Sequence, residues 1–180
     1  MSPHNLELVE RTLTAGPFPT TDGWHWMYRL FARLAPPNSA RRRAVCRYFL
    51  PGRLERWGWG RLYRLLGVHL FGAIIPTGGV AVRRLTGARM APYTLARRTV
   101  TSARSFYYRT CVFETLHLPF LLALLGITID RAALGRLDLA AQDMLVNLAL
   151  NIYPIMHHRR TRTRIVRLLT QEAARKPPEP

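Results

Sequence analysis

At 180 residues the chain is long enough for one domain and short for two, and 27 Lys and Arg against 10 Asp and Glu give a net charge of +17. All of that basic charge except Lys176 is arginine, which points to a polyanionic partner, either nucleic acid or an anionic membrane surface, though a GC-rich genome would leave the same bias. Cys46 and Cys111 have no metal or redox spacing and Met1–Gly23 has no basic region leading into an apolar core, so a disulfide framework and a cleaved leader are not expected.

Residues 1–22 are polar and rich in Pro and Gly, and are expected to form a loose tail with one helical turn at Leu6–Leu13. In Trp24–Ala35 the aromatic residues interleave with Arg29 and Arg33. At a period of 3.6 this gives an aromatic face and a basic edge, too short and too charged to span a bilayer but suited to its interface. Pro36-Pro37 breaks the chain, and Asn38 or Ser39 can cap a basic helix over Arg41–Tyr48 that stops at Pro51-Gly52. Arg53–Leu66 repeats the mixture of Trp, Tyr and Arg and reads as a second interfacial stretch. Leu65–Val82 is apolar but broken at Pro76–Gly79, as a surface-lying or dipping segment would be. Arg83–Arg104 is polar and basic. Lys176–Pro180 is disordered by composition.

Two apolar segments dominate the C-terminal half, Val112–Ile129 and Leu139–Met156, joined by a loop Asp130–Asp138. The predicted fold is mainly α: one membrane-associated domain over residues 1–180, with interfacial amphipathic helices near the N-terminus and a C-terminal helical hairpin over 112–129 and 139–156. Arginines crowd both outer ends while the loop carries two Arg and two Asp, so both ends, and with them the N- and C-terminal parts, belong on the cytoplasmic side of the cytoplasmic membrane. The hairpin either spans twice or dips part-way.

Such segments need no polar groups, yet these carry several. Glu114 and His117 share one helical face, and Asp143, Asn147, Asn151 and His158 share another. His117 lies eight residues beyond Arg109 and Asn151 eight before Arg159, which puts both ~12 Å inside the basic rims at matching depth. The two stripes are expected to hydrogen-bond across the hairpin. Ionisable groups at such depth favour a functional site, while buried Asn and His can also simply hold two helices together.

Glu114-Thr-Leu-His117 and the later run Asn151-Ile-Tyr-Pro-Ile-Met-His-His158-Arg159-Arg-Thr-Arg162 resemble the bacterial glycosyl-diaponeurosporenoate acyltransferase family, small membrane proteins of carotenoid glycoside synthesis. The family shows a Glu-x-x-His pair, usually followed by Trp, and a later Asn-x-x-Pro-Ile-x-x-Gln-Arg-Tyr-Asn-Arg pattern. Asn151, Pro154, Ile155, Arg159 and Arg162 match it, whereas Leu118, His158, Arg160 and Thr161 depart from it. Upstream, Arg61–Gly79 resembles the family's link, with His69–Gly72 in place of its charged centre.

The resemblance implies transfer of a fatty acyl group to a hydroxyl of a lipid-soluble glycoside. It needs no cofactor, only acyl-CoA or another acyl donor as co-substrate. Such a reaction requires a base and oxyanion donors. His117 is the expected base, Glu114 its orienting partner, and Asn151 with Asn147 the donors to the oxyanion or to sugar hydroxyls. His158, Arg159 and Arg162 complete the expected substrate-binding set, the arginines for a phosphate arriving from the cytoplasm. No Ser or Cys stands beside His117, which favours direct transfer. The His-x-x-x-x-Asp pair of glycerolipid acyltransferases is absent, since Leu122 follows His117 at that spacing. No metal is expected, because the adjacent His157 and His158 point ~100° apart on a helix. Membrane lipid and the glycoside are the expected partners; nucleic acid has charge in its favour but no fold motif. The alternative reading is a non-catalytic accessory subunit that uses the same hairpin and basic rim within a larger membrane complex.

Overall fold

The computed structural model describes residues 9, 12–13, 30, 33–36, 39–56, 60–74 and 99–175. Among them the regular structure is all helical, without strands. Helix α1 spans Ala40–Phe49, where Ser39 Oγ accepts from the Arg42 N–H at 3.1 Å and caps the first turn. It ends where Pro51 forces Leu50 into an extended conformation. Three short helices follow: α2 (Arg53–Arg56), α3 (Arg61–Leu65) and α4 (Val68–Ile74). Helix α5 (Val100–Ala133) starts at a Thr99 cap and runs for 34 residues, ~51 Å at 1.5 Å per residue. Pro119 lies inside it and removes one backbone donor, a loss that a long apolar helix tolerates.

The expected loop Asp130–Asp138 is shorter in the structure. Asp130–Ala133 complete α5, and the reversal occupies Leu134–Arg136 alone. The Arg136 N–H reaches the Arg131 carbonyl at 2.9 Å and the Gly135 N–H the Ala132 carbonyl at 3.0 Å. Gly135 takes φ 73°, the left-handed position that lets the chain wrap over the helix end. The returning arm is α6 (Leu137–Asn147), a π-helical turn over Leu148–Ile152 and α7 (Tyr153–Arg175). The wide turn immediately precedes Pro154, which has no N–H to close an ordinary one; the Tyr153 N–H bonds the Leu148 carbonyl instead.

The two arms differ along their length. At the base, Phe106, Tyr107, Tyr108 and Cys111 of α5 pack with Ile165, Val166 and Leu169 of α7, Cys46 and Phe49 of α1, and Val9 and Leu13. The helical turn expected at Leu6–Leu13 is present at its described positions, and the Tyr108 hydroxyl donates to the Leu13 carbonyl. The basic helix expected at Arg41–Tyr48 is α1, but Arg42 is buried and donates to the Tyr108 hydroxyl at 3.0 Å. Beyond the base the hairpin stands clear of the core. Phe120, Leu122, Ile129, Leu137, Leu145 and Leu150 are all more than 60 % exposed, while the smaller Thr128 and Ala140 are buried. Among the described residues, α5 is long and apolar enough to cross a membrane. Residues 24–29, 57–59 and 75–82, with the expected break at Pro76–Gly79, lie outside the described residues, while the first part of the apolar stretch Leu65–Val82 holds α4. Within the Arg53–Leu66 stretch, Leu54 and Leu65 are exposed whereas Tyr63 is buried.

Candidate active site

Where the apolar arms meet the base, polar side chains close the gap between them. His117 Nδ1 lies 3.3 Å from Asn151 Oδ1, Asn151 Nδ2 donates to Asn147 Oδ1 at 2.9 Å, and Asn147 Nδ2 donates to the Leu121 carbonyl at 3.1 Å. A backbone carbonyl can only accept, so it fixes the orientation of the Asn147 amide. That amide in turn presents its oxygen to Asn151, and Asn151 presents its own oxygen to the ring. Nδ1 of His117 must therefore carry the proton, and the lone pair is left on Nε2. Asn147 and Asn151 are buried, while His117 is partly exposed. The chain of bonds crosses from one arm to the other twice.

Around His117 stand Phe113 and His158, whose rings stack with centroids 5.7 Å apart; His158 is 6.1 Å from His117. Burial, followed by the charges of His157, Arg162, His117 and Arg109, pushes His158 well below its ordinary pKa, so it is a neutral wall rather than a cation.

One turn towards the base lies a second cluster. Glu114 is fully buried, and its Oε1 accepts from Arg159 Nε at 3.0 Å and from a terminal nitrogen of the same arginine at 2.8 Å. Its Oε2 accepts from Arg162, which also donates to Thr110 Oγ1 at 3.4 Å. Arg159 reaches on to Glu55 Oε1 at 3.6 Å, which also accepts from the Tyr63 hydroxyl, while Glu55 Oε2 accepts from the Gly52 N–H at 2.7 Å. The two guanidinium groups stand over the rings of Tyr48 and Phe49. Burial opposes the charge on Arg159, yet Glu114 holds it above its ordinary pKa. Two carboxylates and two guanidiniums make a neutral knot, in which Arg162 Nε is buried without a hydrogen-bond partner.

A sequence model of the glycosyl-4,4'-diaponeurosporenoate acyltransferases matches residues 47–171, from the end of α1 to the last turns of α7. The chain belongs to that family. No curated protein and no solved structure matches it.

All seven residues expected at the site lie within the stretch that matches the acyltransferase family, but the structure divides them. His117, Asn147, Asn151 and His158 come together. Glu114, Arg159 and Arg162 do not join them: the expected orientation of His117 by Glu114 gives way to Asn151, because both Glu114 oxygens are taken by arginine. Arg162 is 1 % exposed and turned inward, so it offers no fork to an incoming phosphate. Asp143, expected on the same stripe as the two asparagines, instead pairs with Arg131 of the other arm at 2.8 Å, near the turn. Among the described residues no group of His, Cys, Asp and Glu is arranged to hold a metal ion. The Leu121 carbonyl, Glu55, Thr110 and Phe113 escape sequence reasoning. Only Glu55 left a trace, as a lone acid within a run of arginines.

Proposed function

We propose that this member of the acyltransferase family is a membrane-embedded enzyme that moves a fatty acyl group from an activated donor to a hydroxyl of a lipid-soluble carotenoid glycoside. The observation that carries this reading is the amide relay, which leaves His117 with a protonated Nδ1 and a basic Nε2. A glycoside hydroxyl gives its proton to Nε2 as its oxygen attacks the acyl carbonyl. The tetrahedral intermediate then collapses, and the leaving thiolate or alkoxide recovers the proton from the imidazolium. Asn151 and Asn147 position the ring. Asn151 is buried and one of its two amide hydrogens goes to Asn147, so its part in this reading is to position the ring rather than to bind the oxyanion.

The same reading places the exposed apolar length of the hairpin in lipid. Between Glu114 and Asp130 lie ~24 Å of helix, somewhat short of a ~30 Å hydrocarbon core. Asp130, Arg131, Arg136 and Asp138 gather around the turn, and such charges favour the far interface over the bilayer centre. The base, with its arginines, then faces the cytoplasm, where the donor arrives. Carotenoid glycosides are long and apolar with a polar head, and would lie along the hairpin with the sugar at the depth of His117.

The test is pigment analysis of a strain lacking the gene, complemented with wild-type or His117→Ala chains. Loss of an acylated glycoside with accumulation of the free form is expected in the deletion strain. His117→Ala should fail to restore it, with activity down by ~10²-fold or more, at normal abundance in the membrane fraction. Full complementation by His117→Ala would mean that the relay only holds the arms together.

A further inference from the structure

Between α3 and α7, on the side of α7 turned away from Glu114, lies a groove of about 520 Å³. Arg61 and Arg64 form one wall, and Arg160, Arg164 and Arg167 line the other at successive turns of α7. Among the described residues no carboxylate lines it. Gly60, at φ 91°, takes the left-handed turn that starts α3, and Arg160 packs beside it at ordinary van der Waals distance. The knot around Glu114 gives each guanidinium an acid, whereas Arg61, Arg64, Arg160 and Arg164 pair with no carboxylate among the described residues. Here like charges are held together by two rigid elements, an arrangement that an anion would stabilise. Arg160 registers the crowding: burial first, then Arg164 and Arg64, pull its guanidinium below its ordinary pKa.

We infer that this groove binds the phosphate-rich end of the acyl donor, a nucleotide bearing a pyrophosphate and a ribose phosphate. Its volume falls in the ~300–1,000 Å³ range of small-molecule sites. Such a nucleotide carries about four negative charges, a better match for Arg61, Arg64, Arg160 and Arg164 than the single charge of a lipid phosphodiester. Position agrees as well. Arg160 to Arg167 lie ~14–24 Å along the helical rod from Asn151 on the cytoplasmic side, a distance that the extended linker of an acyl thioester can bridge to His117. The role expected of Arg159 and Arg162 thereby passes to their neighbours on the opposite face of α7. That the nucleotide belongs to the acyl donor rests on the acyl-transfer reading above; that the groove takes polyphosphate does not.

The experiment is titration of the detergent-purified full-length protein with coenzyme A and with inorganic pyrophosphate, followed by calorimetry. Parallel flotation measurements use neutral vesicles and vesicles containing phosphatidylglycerol. Coenzyme A should bind, more weakly as salt rises, and lose at least 10-fold in affinity in Arg160→Gln/Arg164→Gln. Arg61→Gln/Arg64→Gln tests the opposite wall and should lose affinity likewise, whereas His117→Ala should keep full binding. No binding by the wild type, or equal binding by both double variants, overturns the proposal. So does a defect confined to phosphatidylglycerol vesicles, which would make the groove a lipid headgroup site. If the arginine-dependent binding holds but no acyl transfer is ever detected, the acyl-transfer reading falls and the polyphosphate site stands.

Discussion

Asn151 and Glu114 both lie against the interface between the arms, and their replacement separates a chemical role from a structural one. Asn151→Ala removes the acceptor for the Nδ1 proton of His117 and frees the ring to exchange between its neutral tautomers. Nitrogen NMR of the labelled protein should find the Nδ1–H form alone in the wild type and a mixture in the variant. The turnover number should fall by about 10-fold or more with KM little changed. An unaltered tautomer in the variant would mean that Asn151 does not set it. Glu114→Gln acts differently. It removes the charge that balances Arg162, which has no access to water, so a loss of ~3–5 kcal/mol is expected in unfolding measurements or as reduced abundance. A stable but inactive Glu114→Gln protein would instead place Glu114 in the chemistry. The distinction could not be read from sequence, where Glu114 and His117 share a face at the spacing of a working pair. What separates them is Arg159 and Arg162, brought in on α7.

At the scale of elements, the hairpin was legible because its apolar runs, basic rims and polar stripes follow helical spacing along each arm. The convergence of His117 and Asn151 could be read for the same reason, since equal distance from two rims fixes equal depth in any antiparallel pair. The limits of the arms were less so. Asp130 and Arg131 read as loop by charge, yet they extend α5 because Gly135 supplies the wrap that closes the helix one turn later. The groove on α7 was hidden too, as its other wall comes from a distant helix five residues long. A spanning hairpin makes a direct prediction. Cys46 and Cys111 are buried, so an added cysteine reports alone. In intact cells a membrane-impermeant thiol reagent should label Leu134→Cys at the turn but not Gln171→Cys near the end of α7. Equal protection of both until the cells are opened would turn the span into a hairpin that enters and leaves without crossing.

For the whole molecule, stability divides between a base with its own buried core and apolar arms that have little but each other. The base carries a pH dependence. Burial, then Arg160 and Arg164, lower the pKa of His157 from 6.5 to about 4, and His158 is also depressed. The unfolded chain therefore takes up protons in this window that the folded chain refuses. Stability should be full above about pH 6.5 and decline as the pH falls towards 4. Melting temperatures in detergent at pH 7.5 and 5 should reveal the decline, and His157→Gln should shrink it; an unchanged slope would assign it to other groups. The arms carry a different consequence, one of order in time. α5 emerges first during synthesis and can enter lipid with few polar demands. Its partner cannot: Asn147 and Asn151 find their acceptors only on the opposite arm and on each other, and Asp143 needs Arg131. If the arms cross a bilayer, the second must enter alongside the first, so the ribosome has to deliver the chain past the π-helical turn before insertion can be completed.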